Sequence, residues 1–267
     1  MTVNPKLWAV ALVCAATAVG VTGCGKKADD GGAKADKSTP SAAPTPTKPA
    51  DPFAGLTADE IADKAVKATE GATSLHMVGN GKADGQSMTI DLALDSKGAC
   101  TGKIGIKEAT ADLLRADGIM YMKGDEKFWQ VSAGEEGASA EEGKAMAELF
   151  KGRWMKMTDK NAGELADLCD LDKMVKEMDK DRADRKGMTK GADADVNGQP
   201  AVTLTKKKSN GETLTMYVAK EGEPYVLKTV EVGGDEPGTL VFSDFNKPVT
   251  VTAPPADQVM DPDKLGG

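Results

Sequence analysis

The chain has 267 residues, a formal net charge of −8 and 40% hydrophobic residues. That length allows one sizeable domain plus a tail, and the acidic balance argues against a nucleic-acid partner, which would want a basic face. Aromatic residues make up 4% of the chain and methionines number 13, so its core is poor in rings and rich in flexible thioethers that fill irregular space.

Met1 to Lys6 is a short start with one lysine, and Leu7 to Gly23 is an uncharged run of apolar and small residues. This is the order of a secretory signal. The run is shorter than the ~20 apolar residues that span a bilayer. It ends in Val21-Thr22-Gly23-Cys24, which resembles the bacterial lipobox. The resemblance implies cleavage before Cys24 and a diacylglyceryl thioether on its sulfur. A plain signal peptide or a retained short anchor is the alternative. No later run is long and apolar enough to span.

Residues 1–23 are thus expected to be a signal peptide, 24–54 a lipid-anchored tether and 55–267 the folded domain. The tether holds Gly, Ala, Ser, Thr, Pro and mixed charge from Gly25 to Pro52. Such a segment buries too little to offset its ordering entropy, and as a coil it reaches roughly 30 Å. Of the four cysteines, Cys14 leaves with the signal and Cys24 carries lipid. Cys100 and Cys169 remain, a pair in an oxidising compartment, where the reading is a disulfide. Two buried free thiols are the alternative.

The folded part opens on a helix. Thr57 and Glu60 make a capping box, Ile61, Ala65, Ala68 and Ala72 recur at helical spacing, and Gly71 is the stop. The period then changes to two. Leu75 to Ala83 is a weak strand. Met88, Ile90, Leu92 and Leu94 alternate with polar or small residues as a half-buried strand. Cys100, Gly102, Ile104 and Ile106 share one face of the next. Thr110 to Ala116 and Ile119 to Lys123 flank Asp117-Gly118, a hairpin signal. Phe128-Trp129-Gln130 is assigned to a further short strand.

The middle is helical: Glu141 to Lys151, then Gly163 to Lys180 with a break near Cys169-Asp170. Glu135-Glu136-Gly137-Ala138 before it reads as a mobile loop. Strands follow at Met188–Val196, Ala201–Lys207, Thr213–Val218, Tyr225–Val232 and Thr239–Phe245, punctuated by Asn197-Gly198, Asn210-Gly211, Gly222-Glu223 and Gly233-Gly234. Thr252 to Ala256 is extended because Pro254-Pro255 permits little else. Strands joined by tight turns pair antiparallel, so the class is α+β.

Chemistry-bearing motifs are weak. His76 is the one histidine, so a Ser-His-Asp site could run only through it, and no Gly-x-Ser-x-Gly elbow accompanies it. Zinc lacks a ligand set. Asp193-Ala-Asp195-Val-Asn197-Gly198 matches half a calcium loop, but Leu204 stands where the closing acid belongs, and an Asn-Gly hairpin is the better reading. Gly79-Asn80-Gly81 begins like a dinucleotide fingerprint, but the third glycine is misplaced and no helix follows. No catalytic residue, metal or cofactor is expected.

Several segments together resemble the LppX/LprG-type lipoproteins of actinobacteria, related to the LolA/LolB lipoprotein carriers. They are Arg115 to Lys123, Arg153-Trp154-Met155-Lys156, Gly198 to Val202, Phe242 to Asn246 and Ala253 to Ala256, within a resemblance covering about Leu56 to Asp261. The resemblance implies a curved antiparallel half-barrel sheet with helices on its concave side, holding acyl chains of lipids or lipoproteins between them, and no catalysis. The long tether and the Cys100/Cys169 pair depart from the mycobacterial members.

The expected function is a membrane-anchored carrier of a lipid or other amphiphile in an apolar cavity. A surface protein-interaction module with a filled core is the alternative. Many apolar strand faces stand against few helices and few rings, which leaves volume unfilled. The expected floor is Met88, Ile90, Leu92 and Leu94, with Ile104 and Ile106, and with Leu214, Met216 and Val218. The expected lid is Leu149, Phe150, Met174 and Met178. Two acyl chains hold a membrane where one does so weakly. Cys24→Ala is therefore expected to release the chain into the medium or leave it as precursor. Fractionation of membranes and medium checks this, and an alanine variant that is processed and stays membrane-bound would oppose it.

Overall fold

The computed structural model describes residues 51–83, 85–135, 137–158, 162–180, 182–234 and 236–264. The signal segment, Cys24 and the tether up to residue 50 lie outside the described residues, as does residue 136 of the loop expected at 135–138.

The first helix, α1 (Ala58–Glu70), has the capping box of Thr57 and Glu60 and stops at Gly71. Its buried stripe is Ile61, Ala62, Ala65, Val66 and Thr69. Five strands follow: β1 (Ser74–Ala83), β2 (Gln86–Asp95), β3 (Cys100–Ile106), β4 (Ala109–Ala116) and β5 (Ile119–Gly124). Asp117 and Gly118 turn the β4–β5 hairpin with φ of 52° and 75°, the left-handed pair that matches strand twist. Next come α2 (Glu126–Glu135), α3 (Ala140–Phe150), β6 (Trp154–Met157), α4 (Glu164–Leu168), α5 (Leu171–Lys180) and α6 (Arg182–Arg185). The second set of strands is β7 (Thr189–Lys190), β8 (Ala194–Val196), β9 (Gln199–Lys207), β10 (Thr213–Ala219), β11 (Val226–Val232), β12 (Gly238–Ser243) and β13 (Val259–Met260).

Among the described residues the strands belong to one 13-stranded sheet in the order β13-β6-β5-β4-β3-β2-β1-β12-β11-β10-β9-β7, with β8 beside β9. Pairing is antiparallel except between β13 and β6. The two halves of the chain meet where β1 pairs with β12, His76 opposite Ser243 and Gly81 opposite Gly238. The sheet is open and curved, and helices cover its concave side. The core also takes in Phe53, 2% exposed, so packing begins within the segment assigned to the tether.

Phe128-Trp129-Gln130 is not a strand but the first turns of α2. Asp125 decides this. Its Oδ1 accepts from the Phe128 N–H at 2.7 Å, an N-cap bond. Its Oδ2 accepts from the Thr110 N–H and hydroxyl at 2.9 Å each. Burial opposes its ionisation, but these donors outweigh burial and hold the carboxyl below its ordinary value. Trp129 then reaches back to donate its indole N–H to the Gly124 carbonyl at 3.1 Å. The short apolar run in the sequence is equally compatible with strand and helix, and the capping aspartate tips it. Other differences are smaller. The expected strand at Met188–Val196 is two short pieces, β7 and β8, and the helix at Gly163–Lys180 breaks at Cys169-Asp170 into α4 and α5.

Cys100 on β3 and Cys169 at the α4–α5 corner form a disulfide, with Cα atoms 5.4 Å apart and 69 residues apart in sequence. Both are fully buried. In the chain-entropy account a loop of this size contributes about 4 kcal/mol. The double variant Cys100→Ala/Cys169→Ala is expected to lose stability on that scale, read from the shift of its urea midpoint.

Candidate ligand cleft

The register of the concave face places its inward residues in cross-strand rows. Leu92, Met77 and Phe242 form an inner row across β2, β1 and β12. The next row runs Ile104, Ile90, Gly79, Leu240, Thr229, Met216. The outermost runs Ile106, Met88, Gly81, Gly238, Glu231, Leu214. Burial falls along this direction: Leu94 and Leu92 are fully buried on β2, whereas Ile90 and Met88 are half-buried. On β10 the exposures are 0% for Val218, 4% for Met216 and 9% for Leu214.

A cleft of ≈ 480 Å³ lies over the two outer rows, between the sheet and the helices. That is within the range of small-molecule sites. Gly81 and Gly238 stand side by side in its floor. No side chain projects from Gly81 or Gly238, and one added there would press on the neighbouring backbone at 3.1 Å. At Gly79 the Leu240 side chain leans across, 2.4 Å from where a Cβ would stand. Gly81 of Gly79-Asn80-Gly81, set aside in the sequence as a broken nucleotide motif, thus lowers the floor where a strand residue would otherwise fill it.

Of the sequence-derived cavity residues, Met88, Ile90, Ile104, Leu214 and Met216 line the cleft from the sheet, and Met174 and Met178 from α5. Leu92, Leu94 and Val218 do not: they are fully buried in the filled core beyond its inner end. Ile106 packs against that core without lining the cleft. Leu149 and Phe150 are not lid residues. Leu149 is 49% exposed, and Phe150 stacks on Trp129 with ring centroids 4.7 Å apart. The reason is that α3 packs on α2, where Gly143 sits against Gln130 and Ala133, and not over the cleft floor.

Several lining residues escaped the sequence reading. Leu240 and Phe242 lie in Leu240-Val241-Phe242, an unbroken apolar run whose inward positions only its partner strand reveals. Met77 alternates with Leu75, a usable signal in a strand read as weak. Arg185 gave none. Its side chain is 4% exposed yet touches the cleft. Its Nε donates to Asp63 of α1 at 3.1 Å and its Nη1 to the Met178 carbonyl at 2.6 Å. A buried guanidinium is tolerable only with such acceptors.

The convex face is polar on β2 and β3, with Thr89, Asp91 and Lys103 exposed. There His76 Nε2 lies 2.7 Å from Asp91 Oδ1, and Ser243 Oγ 3.5 Å from Nδ1. The row is a register coincidence of three adjacent strands. A working triad needs a buried orienting acid, and the Asp91 side chain is 62% exposed. Within Asp193 to Gly198, Ala194–Val196 is β8 and Asn197-Gly198 turns the β8–β9 hairpin at φ of 53° and 84°, with the Gly198 N–H donated to Asp195 at 2.7 Å.

An open, curved, mostly antiparallel sheet with a helix-lidded apolar cleft defines a LolA-like fold. Solved structures similar in fold to this chain include LprF and LppX. LprF from Mycobacterium bovis is 13% identical, with a TM-score of 0.50 over 74% of this chain and 96% of that one. The lipoprotein LppX from Mycobacterium tuberculosis is 14% identical, with a TM-score of 0.46 over 73% of this chain and 97% of that one. No family model and no curated protein matches the sequence. Among the described residues no helix is long and apolar enough to cross a membrane.

The cleft and the filled core predict opposite responses to added volume. Leu92→Trp is expected to destabilise by about 1–3 kcal/mol through overpacking. Met216→Trp, facing open space below α5, is expected to cost less than about 1 kcal/mol. Thermal melts of the two variants check this, and equal losses would oppose an unfilled cleft.

Proposed function

We propose that the protein is a membrane-anchored extracytoplasmic lipoprotein that binds or carries a lipid or other amphiphile. The observation that carries this reading is the open apolar cleft, left unfilled in a chain with a well-packed core elsewhere. The N-terminal sequence supports the anchor: Cys24 would hold the diacylglyceryl group, and the residues after it would tether the domain to the outer face of the cell membrane. The fold shared with LprF is in keeping with it.

The mechanism is solvation without covalent chemistry. Acyl chain laid on Met88, Ile90, Ile104, Leu214 and Met216, beneath Met174 and Met178, leaves water at ~0.8 kcal/mol per buried methylene. Methionine suits this role because its unbranched thioether adapts to chains of different shape. No cofactor or metal enters the reading.

Native mass spectrometry of the protein purified from its own host tests it. A bound mass in the lipid range, removed by organic extraction, is the expected result. An unliganded mass that also fails to bind an added fluorescent fatty acid would instead favour a surface module that engages a protein partner.

A further inference from the structure

The cleft has a closed end, an open end and a lid fastened at both of its own ends. At the closed end, Leu75, Leu94, Cys100 and Val218 are at most 1% exposed. The open end lies at the tips of two hairpins, where Lys82, Glu231, Glu236 and Pro237 border the space. The Lys82 N–H donates to the Pro237 carbonyl at 3.0 Å, so the two tips are joined into one rim.

The lid is the segment from Leu168 to Arg185. The buried disulfide from Cys169 to Cys100 fixes its first corner on β3. At its far end Arg185 binds Asp63 of α1 and the carbonyl of Met178. Just beyond, Asp59 of α1 accepts from the backbone N–H groups of Gly187 and Met188 at 2.9 Å each. Swinging α5 off the sheet would require breaking a covalent bond or stripping a buried guanidinium of its acceptors. Neither is needed to reach the cleft from the hairpin side.

On the reading that the cleft holds an amphiphile, we propose that the ligand enters and leaves lengthwise through the hairpin-tip mouth, not beneath the helical lid. The apolar tail goes in first along the glycine floor toward Met77 and Phe242. The polar headgroup stays at the rim, where Lys82, Glu231 and Glu236 offer charge and access to water. A branched or multi-chain lipid would have to thread its chains through this mouth together.

Stopped-flow uptake of the neutral fluorescent amphiphile N-phenyl-1-naphthylamine tests the route in the full chain carrying Cys24→Ala. Met88→Trp, at the mouth, is expected to slow uptake by about tenfold with little change in melting temperature. Reducing the Cys100–Cys169 bond is expected to leave the uptake rate within about twofold. Faster uptake after reduction by about tenfold or more, with Met88→Trp unaffected, would overturn the mouth route and establish the lid route. If reduction unfolds the protein, hydrogen exchange in the oxidised form decides: α5 amides that stay protected during uptake support the mouth, and α5 amides that exchange faster than the probe enters refute it. Absence of probe binding in the intact oxidised protein would overturn the ligand reading itself, and the route with it.

Discussion

The structure depends on how much of the concave face its helices can cover. A sheet buries one face only if something is packed on it, and here a 13-stranded sheet meets helices of modest length. The alanine-rich face of α1 lets that helix lie close to β10 and β11, and the innermost residues of the sheet are buried. Farther along the same strands the cover thins to α5, with two methionines, and the floor itself loses side chains at Gly81 and Gly238. The cleft is where the covering runs out.

What keeps this gap from closing is the fastening of the parts around it. Thr69 of α1 donates to Ala65 and accepts from the Val226 N–H at 3.1 Å, tying the helix end to β11. The disulfide and Arg185 hold the lid at two separated points, one covalent and one electrostatic. A helix held at both ends resists collapse onto the floor. At the far edge, Trp129 and Phe150 supply the ring packing that the cleft lacks. Met77, Met88, Met174, Met178 and Met216 line the cleft together with Phe242, while Met120, Met122 and Met157 are buried in the filled core.

Much of the fold was legible because local chemistry and global pattern agree. The Thr57/Glu60 box, the Asp117-Gly118 and Asn197-Gly198 turns, and the alternation of β2 and β10 each specify a local conformation that the fold adopts unchanged. Phe128-Trp129-Gln130 was misread because two adjacent apolar residues have no period, and the aspartate that caps them was not weighed. Leu149 and Phe150 were misplaced for a different reason. Their helix was rightly identified, but an amphipathic helix does not say which surface its apolar stripe meets.

The sequence by itself determined the α+β class, the antiparallel strand order within each half, the lone pair of cysteines after Cys24 and the apolar faces from which any cavity is drawn. These follow from periodicities of 2 and 3.6 and from turn residues, which act over a few neighbours. Only the tertiary structure decided which inward residues are core and which are cleft. Leu92 and Ile90 are the same strand, the same face and nearly the same side chain. One is sealed in the core and the other borders the cleft, because the packed helices cover the inner row of the sheet more completely than the next. That distinction is a matter of where a helix 20 or more residues away in sequence comes to rest, and no local pattern encodes it.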